Sequence, residues 1–166
     1  RVATFSWNTA RHLELYFAAP CTGRVLHTLN IRLFPEPLPY TVNHADDEVI
    51  FVDRSLLHLL APLLKTFERV QHLVLMDDGK GDIPDDLNNL PLHDYEDLLA
   101  AAPAVEFHVT DERRPASMCY TSGTTGNPKG VVYSHRSSWL HAFASAGADM
   151  LGCSERDRIL PVVPMF

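Results

Sequence analysis

The sequence predicts an α/β fold of the doubly wound class, a largely parallel sheet with helices on both faces. Three observations predict it. Val49-Ile50-Phe51-Val52 and Leu73-Val74-Leu75-Met76 are continuous apolar runs, the pattern of strands buried on both faces rather than one. Segments with helical apolar spacing separate the runs, so strand and helix alternate along the chain. With 166 residues, 46% of them hydrophobic, the chain is long and apolar enough to bury a substantial core.

Taken in order, Val2-Ala3-Thr4-Phe5 reads as a first strand. Asn8 is placed to cap a helix running to about Ala19 with Leu13, Tyr16 and Phe17 on one face, and Cys21-Thr22-Gly23 ends it. Val25 to Leu29 gives a second strand, and Pro35 to about His44 a second helix with Glu36 in its first turn. The third strand ends at Asp53, and Ser55 is placed to cap a helix reaching Leu64 despite Pro62. After the fourth strand, Gly79 to Leu92 reads as a polar loop and Asp94 to Ala102 as a short helix. Asp111-Glu112-Arg113-Arg114-Pro115 is a second break, which divides the chain into an α/β lobe at 1–110 and the start of a second at 111–166. Strands at Met118 to Tyr120 and Val131 to Tyr133, a helix from about Ser137 to Ala148 and a last strand near Ile159-Leu160 complete the reading.

The stretch from Tyr120 to Gly130 carries the chemistry. Five hydroxyls, three glycines and Lys129 fall within eleven residues, so amides, hydroxyl donors and a fixed positive charge can converge on one polyanion. A plain surface turn is the competing reading, but a turn needs only two to five residues. The Walker A pattern fails at Pro128, where its second glycine would fall, and again at Gly130, where a hydroxyl residue would follow the lysine. The β-branched and aromatic residues after Gly130 predict a strand-to-strand connection, so no helix terminus faces the phosphate.

Composition excludes other classes. The net charge of −7 is concentrated between Asp77 and Asp97, where eight acids face Lys80 alone, and this argues against a nucleic-acid surface. No apolar run reaches membrane-spanning length and no signal peptide opens the chain, so a soluble protein is expected. Cys21, Cys119 and Cys153 form no paired motif, consistent with a cytoplasmic protein, and Cys119 reads as a small core residue. The nine histidines show no metal-ligand spacing; His135 lies near the loop, as a helix-start residue or a substrate neighbour. No nucleophile elbow surrounds Ser122. Arg1 at one end and the uncapped apolar run Pro161 to Phe166 at the other are the ends expected of a segment of a longer polypeptide.

Thr121-Ser122-Gly123-Thr124-Thr125-Gly126-Asn127-Pro128-Lys129-Gly130 resembles the phosphate loop of the adenylate-forming superfamily at every defined position. Arg11 to Phe17, Leu26 to Leu33, Asn43 to Asp46 and Gly130 to Arg136 are similar to the medium- and long-chain fatty acyl-CoA ligase branch. The resemblance covers most of the chain and is weakest from Gly79 to Arg114. It implies part of the large N-terminal domain of an enzyme that converts a fatty acid and ATP to acyl-adenylate and pyrophosphate, then passes the acyl group to coenzyme A. By the same resemblance, Ser122, Gly123, Thr124, Thr125, Gly126 and Lys129 hold the ATP phosphates, and Thr121 also ligates Mg2+. The acidic residue sharing that ion, a histidine of the acyl site and the adenylation lysine would all follow Phe166, so this segment alone is expected to be inactive. The resemblance leaves open a homodimer and another carboxylate, amino or aryl acid. A non-catalytic nucleotide-binding fragment, or a structural lobe with an ordinary surface turn, also stays open.

Overall fold

The computed structural model describes residues 1–32, 36–107, 109, 111–121 and 126–166. Seven strands form one sheet in the order β5-β4-β3-β1-β2-β6-β7. They are β1 (Val2–Phe5), β2 (Leu26–Thr28), β3 (Val49–Asp53), β4 (His72–Met76), β5 (Leu92–Asp94), β6 (Pro115–Thr121) and β7 (Lys129–Ser134). Every neighbouring pair is parallel except β6 with β7. The helices are α1 (Ala10–Cys21), α2 (Pro37–Ala45), α3 (Arg54–Leu60), α4 (Tyr95–Ala101) and α5 (His135–Ala146).

Side chains alternate across the pleat, so the continuous apolar strands supply two cores at once. Ala3, Phe5, Ile50, Val52, Leu73 and Leu75 pack against Leu38 and Val42 of α2 and Leu56, Leu57 and Leu60 of α3. On the opposite face Val2, Leu26, Val74 and Met76 meet Leu15 and Ala19 of α1 and Tyr95 of α4. The doubly wound expectation is met, with helices on both faces. Each fully buried aliphatic side chain contributes about 1.5–3 kcal/mol through apolar burial, so Ile50, Leu57 and Leu73 are major anchors.

Several local expectations are corrected. The α1 cap is Thr9, whose hydroxyl accepts from the His12 amide, and not Asn8. The helix buries His12, Leu15, Ala19 and Pro20, whereas Leu13 and Phe17 are exposed. Asp53, not Ser55, occupies the cap position of α3, and Pro62 tightens the continuation into a 3-10 helix at Ala61–Thr66. Pro35 lies outside the described residues; α2 begins at Pro37 and closes on Asp46 in a left-handed conformation. A short strand, β5, runs through the end of the expected acidic loop, and its Asp94 caps α4 by accepting from the Asp97 amide. The α5 helix starts two residues early because Ser134 and Ser137 form a reciprocal capping box. Ile159 and Leu160 form no strand, and Cys119 is half-buried rather than core. β6 pairs with β2.

Candidate functional site

β6 runs parallel to β2 with Thr28 opposite Cys119, then extends two residues further. β7 returns antiparallel, with Tyr120 opposite Gly130 and Thr121 opposite Lys129. The glycine- and hydroxyl-rich loop therefore stands at the carboxyl end of a parallel strand, where ligands of doubly wound sheets bind. Residues directly opposite in a ladder share a face, so Thr121 and Lys129 project together from the last rung. Gly126 has φ of +110°, a conformation that L side chains rarely adopt. Ser122, Gly123, Thr124 and Thr125 lie outside the described residues. Lys129 is exposed and makes no ion pair among the described residues.

The loops after β1 and β3 are tied together at the same end of the sheet. Buried Asp53 accepts from the Ser6 hydroxyl at 2.8 Å and the Trp7 amide at 2.7 Å. Burial raises its pKa, and those two donors oppose the shift. The indole of Trp7 donates to Ser55 Oγ, and the Ser55 amide donates to Asp78 Oδ1. Fully buried His12 links the strand to the loop: its Nδ1–H donates to the Trp7 carbonyl at 3.0 Å and its Nε2 accepts from Thr4 Oγ1 at 2.9 Å. Those partners fix the neutral tautomer, and burial lowers the pKa.

Asn8, released from capping, acts as a clamp. Its amide donates to the Pro161 and Val163 carbonyls at 3.2 and 2.9 Å, and its Oδ1 accepts from the Met165 amide at 2.8 Å. The Tyr16 hydroxyl donates to the Met165 carbonyl. Phe166 is thereby laid against the α2-side core and beside a cavity of about 230 Å³ that Thr121, Tyr120, His27 and Thr41 also line. Sequence reasoning missed this role. The available signal was Thr9, which could itself cap and so left Asn8 free.

The remaining candidates are placed elsewhere. His135 is the first residue of α5, its amide bonded to the Arg114 carbonyl, and it lines a groove with Tyr16, Tyr133 and His141. Of the acids after β4, Asp77 pairs with Arg54, and Glu96 with Arg11 at 2.7 Å. No cluster of histidine, cysteine or acidic residues suited to a metal ion occurs among the described residues. No described helix is long and apolar enough to cross a membrane.

A largely parallel sheet with helices on both faces and a glycine-rich connection at a strand's carboxyl end defines an α/β domain of the doubly wound class. The chain belongs to the AMP-binding enzyme family, whose model matches residues 1–166. It is 48% identical over 168 residues to the 3-methylmercaptopropionyl-CoA ligase of Ruegeria lacuscaerulensis, covering 100% of this chain and 31% of that protein. It is 45% identical over 167 residues to the medium-chain-fatty-acid–CoA ligase of Ectopseudomonas oleovorans, covering 100% and 30%. The crystal structure of the anthranilate CoA ligase AuaEII with anthranoyl-AMP matches with a TM-score of 0.74 at 22% identity, over 86% of this chain and 26% of that one. Apo MatB from Rhodopseudomonas palustris matches with a TM-score of 0.72 at 23% identity, over 99% and 30%. At such identities the structural likeness establishes the fold. The chain spans under a third of the length of these curated relatives.

Proposed function

We propose that the protein carrying this chain activates a carboxylate with ATP, releasing pyrophosphate and forming an acyl-adenylate, and then transfers the acyl group to coenzyme A in the cytoplasm. The observation that carries the reading is the last rung of the β6–β7 hairpin, which sets Thr121 and Lys129 side by side at a parallel strand's carboxyl end. Nucleotidyl transfer depends on positioning and charge neutralisation, and this hairpin is built for both. Lys129 places a positive charge against the β- and γ-phosphates, and Gly126 lets the backbone approach them. Ser122, Gly123, Thr124 and Thr125 are proposed, from the sequence, to complete the cradle. Magnesium takes six oxygens, of which Thr121 fits one; phosphate oxygens and water would supply most of the others.

A fatty acid is the proposed substrate. The similarity to the Ruegeria enzyme makes a short sulfur-bearing carboxylate the second candidate. Residues 111–166 are proposed to open a second lobe: α5 buries none of its side chains, and Trp139 and Phe143 stack on each other in solvent at 5.4 Å. The test is carboxylate-dependent pyrophosphate exchange by the full-length protein. Exchange with medium- or long-chain fatty acids is expected. Exchange driven by 3-methylmercaptopropionate, aryl acids or amino acids alone would reassign the substrate, and no exchange with any carboxylate would refute the activity.

A further inference from the structure

The hairpin that carries the loop is fixed from behind by Tyr120. In the ladder this residue faces Gly130, one rung below Thr121 and Lys129. A Cβ built on Gly130 would stand 3.2 Å from Cζ of Tyr120 and 3.4 Å from its hydroxyl, so the ring lies directly over that glycine. The phenol then reaches α2, where its oxygen is 2.6 Å from Nδ1 of His44. His44 is in turn stacked on Tyr40, with ring centroids 5.2 Å apart. Below, the Tyr120 ring packs on His27 at 5.1 Å, and His27 is anchored by a 2.6 Å bond from Nδ1 to buried Asp47. Burial and the nearby Asp47 push the phenol up to about 12, so at neutral pH it keeps its proton and stays hydrogen-bonded to the imidazole as a neutral group.

We infer that Tyr120 is a positioning residue for the phosphate loop: wedged over Gly130 and tethered to His44, it sets the orientation of the Thr121–Lys129 rung relative to α2. The inference rests on the reading of that rung as the phosphate site. A hairpin at the edge of a sheet is free to twist, and β7 has no partner beyond β6 among the described residues. A side chain spanning from the hairpin to a helix removes that freedom at the base of the loop. It also crowds Gly130, where an added Cβ would require the ring to give by a few tenths of an ångström.

Test this in the full-length protein with Tyr120→Phe, Gly130→Ala, their double variant and Lys129→Ala. Tyr120→Phe keeps the ring and loses one hydrogen bond, so the KM for MgATP in pyrophosphate exchange should rise about 2- to 10-fold. Its melting temperature, and acyl transfer from preformed acyl-adenylate to coenzyme A, should stay near wild type. Gly130→Ala pushes the tethered ring and should raise the same KM by at least as much. Once Tyr120→Phe frees the ring to tilt, Gly130→Ala should add little, so the double variant should fall short of the product of the two single effects. Overturning results are a MgATP KM within 2-fold of wild type for both single variants while Lys129→Ala is impaired, or equal losses in both half-reactions with a lowered melting temperature. If Lys129→Ala itself leaves exchange intact, the phosphate-site reading fails and the inference falls with it.

Discussion

Removing the charge of Lys129 is the sharpest perturbation of the proposed site. The residue leaves the hairpin on the rung of Thr121, is exposed, and has no acidic partner among the described residues, so its charge is available to a ligand. A charge-assisted contact is worth about 1.5–3 kcal/mol, which predicts a loss of roughly 10- to 150-fold in adenylation for Lys129→Ala. The loss should appear in the KM for MgATP if the contact is complete in bound ATP, and in kcat if it tightens as pyrophosphate departs. Thr121→Ala removes a neutral oxygen that water can replace, so its effect should be nearer 5-fold, from about 1 kcal/mol, and partly restored by raising Mg2+. Pyrophosphate exchange by the full-length protein, over a range of MgATP, measures both. Acyl transfer from a preformed acyl-adenylate to coenzyme A no longer involves the β- and γ-phosphates and should be largely retained. Intact exchange in Lys129→Ala, or equal damage to both half-reactions, would refute the assignment and return the loop to a structural turn.

Three further outcomes follow from the tied strand ends. Asp53→Ala leaves the Trp7 amide without its acceptor and the Ser6 hydroxyl with the Trp7 carbonyl instead, at a cost of about 1–3 kcal/mol, and Asp53→Asn should cost less; hydrogen exchange at the Trp7 amide reads the difference, and unchanged protection would refute it. His12 is held neutral with its pKa below the ordinary 6.5, so the unfolded state takes up its proton first. Its contribution is complete above that value and declines as pH falls below it toward the folded pKa, by at most about 1.4 kcal/mol per pH unit. Urea midpoints measured from pH 7.5 to 5 should therefore fall more steeply in wild type than in His12→Asn, and parallel slopes would contradict the neutral state assigned to the folded protein. Asn8→Ala removes three bonds to the Pro161–Met165 backbone and should speed exchange at the Met165 amide by on the order of 10-fold, given about 1 kcal/mol per exposed bond; an unaltered rate would show that the clamp is idle.

How far the sequence could be read depended on whether a residue's partners were local. β3 and β4 were legible because burial on two faces leaves an uninterrupted apolar run, and no other arrangement of a short segment requires one so strongly. The face of α1 was misread for a related reason. Its buried stripe is His12, Leu15 and Ala19, at helical spacing, but hydrophobic periodicity gives no weight to a histidine whose polar atoms are satisfied by Thr4 and Trp7. Helix caps failed where the capping side chain was drawn elsewhere: Asn8 to the Pro161–Met165 segment, and Ser55 to the Trp7 indole. Capping propensity is a local preference, and one tertiary hydrogen bond of similar strength overrides it. β5 was missed because three residues inside an acidic stretch carry too little pattern to register.

The proposed phosphate loop divides along the same line. Its glycine and hydroxyl content, on which the proposal rests, is visible as composition, and the strand-to-strand connection followed from Val131-Val132-Tyr133. The glycines, however, were read as one class, residues that let the backbone approach a ligand. Their surroundings separate two of them. Gly126 adopts a positive φ with open space about its α-carbon, which suits backbone flexibility at a ligand-facing turn. Gly130 has no such φ; it is constrained by the Tyr120 ring lying 3.2 Å from where its Cβ would be. The distinction requires Tyr120 to be held over the hairpin, and what holds it is His44, 76 positions away in sequence, with His27 and Asp47 beneath. A motif of consecutive residues can therefore display the chemistry proposed for it openly while the reason for one of its members lies on helix α2.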